Sequence, residues 1–238
     1  MRDQPEQQAP PVQRLRVRYA KRGRLRFSSH RDFSRVFERA IARAAVPMAY
    51  SSGFHPHPRI SYAGAAPTGA ASEAEYLEIG LAEVRTPDEV RAALDDSLPD
   101  GLDVLEVAES PGGALATLLE ASVWELRTGS GTDPAALGAA LQAFLAQPEV
   151  PVERVTKRGP RTFDARGAVV ALDALPGPDG EGPRLRLVLR HTEPAVRATD
   201  VLTGLASVAD LVVERPLLTR LAQGPLGEDG TVGDPLAT

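Results

Sequence analysis

Four histidines, no cysteine and a dense run of arginines bound the chemistry open to this chain. His55 and His57 stand one residue apart in Gly53-Phe54-His55-Pro56-His57-Pro58, a spacing that can offer two imidazoles to a metal ion or to a substrate proton. His30 could add a third ligand if the start of its helix abuts that loop, and His30, His55 and His57 are the acid/base candidates. The two prolines also have a sufficient structural reason, a rigid extended segment that could serve as a recognition loop. No metal site is expected. Ser28-Ser29-His30-Arg31-Asp32 contains a Ser/His/Asp grouping, but a nucleophilic triad converges from distant segments. Ser29 as helix N-cap and Asp32 as its capping-box partner is the simpler reading. Arg161, Asp164 and Arg166, in Arg161-Thr162-Phe163-Asp164-Ala165-Arg166, read as a structural ion pair, with a partner contact as the alternative. Glu73 and Glu75 read as a solvent-facing strand start rather than a catalytic carboxylate pair. No phosphate-binding loop, dinucleotide fingerprint or zinc-finger spacing occurs.

Charge is segregated. Between Arg14 and Arg43 lie 11 Lys and Arg against two acids, a balance of +9, while the rest of the chain carries −14 of the total −5. Such a segment should attract an anion, and Arg14, Arg16, Arg18, Arg24, Arg26, Arg31, Arg35 and Arg59 are the candidate RNA- or anion-binding residues. Pairing with the acidic remainder or with a protein, or a plain solvated face, are the other readings. Phe54 and Tyr62 lie close by in sequence and could stack on bases.

The elements that must position these residues follow from periodicity. Leu15, Val17 and Tyr19 alternate with Arg14, Arg16 and Arg18 over residues 13–19, so a half-buried strand should turn its arginines to the opposite face. Residues 24–27 extend that alternation. A helix over about residues 30–45 carries Phe33, Val36, Phe37, Ala40, Ile41 and Ala44 on one stripe and Arg31, Arg35, Arg39 and Arg43 on another. Strands near 59–63, 75–81 and 103–107, with a helix begun by Thr86-Pro87, complete a β-α-β-β-α-β order. A weaker second round has strands at 122–127, 152–156, 168–175, 184–190 and 211–214, with helices at 133–146 and about 200–209. The expected fold is α+β: tandem ferredoxin-like (split βαβ) units with antiparallel sheets. The boundaries read as a disordered leader at 1–11, a first domain at 12–109, a degenerate second domain at 118–223 and a disordered tail at 224–238. The arginines of strand 13–19 are expected on an open sheet face.

The chain has no run of about 18 apolar residues, and its leader lacks the apolar core of a secretory signal. No membrane association and a cytoplasmic location are therefore expected. The absence of cysteine removes disulfides, a nucleophilic thiol and thiolate-held zinc or iron–sulfur clusters.

Leu25-Arg26-Phe27-Ser28-Ser29-His30-Arg31-Asp32, Phe37-Glu38-Arg39-Ala40 and Ser52-Gly53-Phe54-His55-Pro56-His57-Pro58-Arg59-Ile60-Ser61 together resemble one family. It is the uncharacterised domain found fused to, or encoded beside, B12-binding radical-SAM proteins. Pro67-Thr68-Gly69, Ser72–Leu77, Leu98–Leu102 and Arg161–Arg166 extend the resemblance over roughly residues 13–215. That family often has Asn where His55 stands, which argues against an obligatory imidazole there. The resemblance implies a radical-SAM partner. S-adenosylmethionine, an iron–sulfur cluster and cobalamin would then reside on that partner, with no cofactor on this chain. The expected role is an accessory, substrate-presenting subunit that binds RNA through its basic half. The alternatives are a stand-alone RNA-processing enzyme using histidine acid/base chemistry and a pure protein-docking module.

Overall fold

A computed structural model describes residues 7–156, 159–178 and 181–237. The first six residues of the expected leader lie outside these. The next ones are held, with the Gln8 amide donating to Ser52 Oγ at 2.9 Å and the Val12 amide to the Leu81 carbonyl at 2.9 Å. The chain is α+β and divides into two compact units, residues 1–118 with 235–238, and residues 119–234.

In the first unit β1 (Gln13–Lys21) leads through a 3-10 turn (Gly23–Phe27) into α1 (His30–Arg43). Then come β2 (Ile60–Ala63), β3 (Ala71–Leu81), α2 (Pro87–Ser97) and β4 (Val104–Glu109). The strands pair antiparallel in the order β4-β1-β3-β2. Both helices start as their sequences dictate. Ser29 and Asp32 form a capping box on α1, while Thr86 and Glu89 form one on α2 with Pro87 in the first turn. Leu15, Val17 and Tyr19 pack against Phe33, Phe37 and Ile41 of α1 and Val90 and Leu94 of α2, together with Leu77, Ile79 and Leu81. The expected alternation of β1 is thus present.

The second unit repeats the succession with an insertion. It runs β5 (Ala121–Arg127), α3 (Pro134–Leu145), a separate hairpin of β6 (Pro151–Thr156) and β7 (Gly159–Asp164), β8 (Val169–Leu175), β9 (Arg184–Arg190), α4 (Ala198–Ala209) and β10 (Leu217–Gly224). Its sheet neighbours follow β10-β5-β9-β8, again antiparallel.

Four local expectations give way. Residues 24–27 are not strand: Gly23 has φ +54° and the Ser28 amide returns to the Leu25 carbonyl at 2.9 Å, a tight turn. Leu211–Glu214 forms no strand, because its β-prone side chains meet no partner strand and Val212 is exposed; the strand begins at Leu217. The hairpin strand β7 carries Gly and Pro and no clean alternation, so periodicity missed it. The tail from residue 224 is structured. Leu226 bridges to Val232 around a turn at Gly230, and Leu236 is buried within the first unit. Among the described residues no helix is long and apolar enough to cross a membrane.

Candidate nucleic-acid interface

The basic segment splits in two once its hydrogen bonds are traced. On β1 the arginines do face away from the helices, but that face is not open at Arg16. Arg16 is 1% exposed, and its Nη1 and Nη2 donate to the Pro235 carbonyl at 3.1 Å and the Gly112 carbonyl at 2.8 Å. Its Nε lies 3.6 Å from Glu78 Oε2. Glu78, itself buried, also accepts from Arg14 Nη1 at 3.0 Å and from Ser110 Oγ at 2.7 Å. Arg18 Nε donates to the Glu73 carbonyl at 2.9 Å. The expectation of an open, phosphate-gripping sheet face is corrected at Arg16, which is sealed from solvent; Arg14 and Arg18 each donate to one internal acceptor, with the Arg14 side chain still half exposed. Arg22 is engaged too, by Glu73 and Asp103, which hold its guanidinium charged well above its usual pKa.

A second set of arginines lies on α1 and the turn before it. Arg24, Arg31, Arg35 and Arg39 are exposed and make no hydrogen bond or ion pair among the described residues. On the helix they recur every four residues, about 6 Å apart along the axis. Arg26 is partly covered: its Nη1 donates to the Gly23 carbonyl at 3.2 Å, and its guanidinium sits 4.5 Å from the Phe27 ring centroid. Arg43 reaches the Ser97 carbonyl at 3.4 Å, and Arg59 Nε donates to the Tyr50 carbonyl at 3.1 Å. Asp32, the acid nearest the N-terminal arginines in sequence, is committed to the cap. The Ser29 hydroxyl donates to its Oδ2 at 2.7 Å, and these bonds hold its carboxyl below the usual range.

The histidines do not assemble. His30 rests edge-on against Tyr62, ring centroids 4.8 Å apart, and Tyr62 packs in turn against Phe33. Burial pushes the Tyr62 phenol upward, partly offset by the neighbouring Ser34 hydroxyl. Ser34 Oγ is itself spent on the His30 carbonyl at 2.9 Å, so no formed hydrogen bond reaches the Tyr62 hydroxyl. The loop Gly53–Pro58 is closed at its neck, where the Ser51 amide donates to the His57 carbonyl at 2.9 Å and the His57 amide to Ser51 Oγ at 3.0 Å. Phe54, His55, Pro56 and His57 project from that neck, all exposed, with Gly53 at φ +129° making the turn. Among the described residues no group of three or more His, Asp or Glu side chains is arranged to hold a metal. Ser29, His30 and Asp32 make a cap and not a triad.

The expected ion pairing of Arg161, Asp164 and Arg166 is also corrected. Asp164 accepts from the backbone amides of Val150, Arg166 and Gly167 at 3.0 Å each. Arg166 donates to the carbonyls of Leu145, the last residue of α3, and Val169, each at 3.2 Å. Asp164 and Arg166 tie a turn and a helix end, while Arg161 is exposed beside Arg154 in the hairpin register.

The chemistry-bearing residues that sequence reasoning missed are buried. Glu78 is the counter-charge of the sheet face, and Asp200 pairs with Arg154, whose guanidinium lies 4.1 Å from the Phe163 ring. His191 Nδ1 donates to the Leu119 carbonyl at 2.7 Å, while Nε2 accepts from Ser122 Oγ at 3.1 Å. Ser122 Oγ accepts in turn from Trp124 Nε1 at 2.8 Å. Burial lowers the His191 pKa, consistent with a neutral structural imidazole.

Fold and site together define a two-unit α+β protein with an exposed, unsatisfied arginine face on the first helix of its first unit. The chain belongs to DUF2344, the family described as "uncharacterized protein conserved in bacteria", which matches residues 14–198. No curated protein matches its sequence.

Proposed function

We propose that this protein is an RNA-binding accessory subunit that presents an RNA substrate to a radical-SAM enzyme. The observation that carries the RNA half is the set Arg24, Arg31, Arg35 and Arg39, exposed and making no hydrogen bond or ion pair among the described residues, while Arg14, Arg16 and Arg18 of β1 each donate to an internal acceptor. Cations left unpaired on a helix and on the turn before it attract phosphates at little desolvation cost. The radical-SAM half rests on the family resemblance. It is compatible with a chain of no cysteines, since the thiolates of such a cluster, and with them S-adenosylmethionine and cobalamin, would belong to the partner. We read the two units as tandem ferredoxin-like domains, supported by the repeated succession and by neighbour orders β4-β1-β3-β2 and β10-β5-β9-β8. We place the protein in the cytoplasm.

Affinity capture of the full chain from its host cells, at low and moderate salt and with or without nuclease, tests this reading. Recovery of RNA together with a radical-SAM protein is expected; recovery of neither refutes it. Cleavage of RNA by the purified chain, lost in His55→Ala or His57→Ala, would replace it with an enzyme.

A further inference from the structure

Phe27 ends the Gly23–Phe27 turn with its side chain in solvent, 59% exposed, although Leu25 two residues earlier packs on the core. A single exposed phenyl is ordinary on a protein surface. Three features set this one apart. Its backbone is anchored: the Arg22 amide donates to Gly101 O at 2.8 Å, the Leu25 amide to Arg22 O at 3.0 Å, and the Gly69 amide to Arg26 O at 2.8 Å. Gly101, at φ +90°, lets the chain come so near Arg22 that an added Cβ would stand 3.1 Å from the Arg22 carbonyl oxygen. One side of the ring is backed by the Arg26 guanidinium, itself tied to the Gly23 carbonyl. And the ring sits in sequence between Arg24 and the run His30, Arg31, Arg35, where the one acid, Asp32, is hydrogen-bonded in the helix cap.

We infer that the Arg26–Phe27 stack is a base-stacking platform, so the ligand of this surface is single-stranded RNA. The inference rests on the RNA reading above and narrows it. An unpaired base would lie on the solvent side of the Phe27 ring, opposite Arg26, while its flanking phosphates meet Arg24, Arg31 and Arg35. A rigid, cation-backed ring costs little ordering entropy to use and accepts any base, because every base has a π-face. In a duplex the base faces are buried against one another and the A-form major groove is too narrow to admit the ring. A duplex would therefore engage the arginines alone. Phe54, 67% exposed on its loop with no guanidinium over its ring among the described residues, is the built-in comparison.

The test titrates the full chain into a fluorescein-labelled, unstructured single-stranded RNA of about 12 nucleotides, a length within the usual single-strand site sizes. The same sequence as a duplex is titrated in parallel, with anisotropy as the readout. Wild type should prefer the single strand. Phe27→Ala should weaken single-strand binding about tenfold and leave duplex binding unchanged, with Phe54→Ala close to wild type. Phe27→Trp should retain affinity, and its added exposed indole should be quenched by the single strand, read against the buried Trp124. Single-strand affinity unchanged in Phe27→Ala, or an unquenched Phe27→Trp, overturns the platform while leaving RNA binding intact. Wild type that binds neither RNA overturns both readings.

Discussion

Substituting Arg24, Arg31, Arg35 and Arg39 together by Gln separates the helix-face reading from a sheet-face one. Each is exposed and makes no hydrogen bond or ion pair among the described residues, so the folded state loses only the weak, solvent-screened attraction of Arg31 and Arg35 to Asp32, and the melting temperature should nearly hold. Each phosphate contact on a single strand contributes about −0.7 to the slope of log K against log salt concentration. Four such contacts are worth about 3 in slope, or about a fifty-fold loss of affinity for a fourfold rise in salt. The assay is anisotropy with a single-stranded RNA across a salt series, fitted for slope as well as affinity. The quadruple variant should flatten the slope by about 3. Arg18→Gln should leave it within experimental scatter, because the Arg18 guanidinium is turned to the Glu73 carbonyl. If Arg14→Gln and Arg18→Gln flatten the slope as much as the helix set does, the RNA lies on the sheet face and the division drawn here fails.

Three further outcomes follow from the geometry. Arg16→Ala leaves Glu78 buried with Arg14 as its remaining cation and removes the donors to the Gly112 and Pro235 carbonyls, a loss of about 3 kcal/mol in urea denaturation; Arg16→Met, which keeps the aliphatic volume, should lose less, and no loss at all in Arg16→Met would show that charge is not the cause. His191 has a folded-state pKa below its unfolded value of 6.5, so the unfolded chain binds the extra proton first. Stability should therefore be full above that value and fall as pH drops through 6.5 toward the folded pKa, a dependence that His191→Gln should remove when denaturation midpoints are compared at about pH 7.5 and about pH 5.5. Ser29→Ala removes the acceptor for the Asp32 amide and should cost about 1 kcal/mol, with the Asp32 carboxyl titrating closer to its ordinary range by NMR.

What could be read from the sequence was whatever the chain decides within one or two turns. The α1 stripe and both capping boxes are local, and the helix arginines stand where a 3.6-residue period puts them. Strand β1 shows the limit. Alternation correctly separated Leu15, Val17 and Tyr19 from Arg14, Arg16 and Arg18, but period two says only that a side chain faces the other way, not what it meets there. For Arg16 that is decided by Glu78, Gly112 and Pro235, the last of them 219 residues away. The tail that supplies Pro235 reads as disorder by composition, because its Gly and Pro content hides a turn and a buried Leu236. The same logic relocates the candidate site. The densest basic alternation in the chain marks a sheet face with its own buried carboxylate, whereas Arg24, Arg31, Arg35 and Arg39 form no hydrogen bond or ion pair among the described residues, and the acid beside Arg31 and Arg35 is the capping Asp32. Arg16, sealed from solvent and hydrogen-bonded to two carbonyls, must break those bonds before it can hold a phosphate, and a solvated arginine need only shed water. The proposed RNA contacts therefore follow which arginines lack hydrogen-bonded partners, and not where arginine is most concentrated.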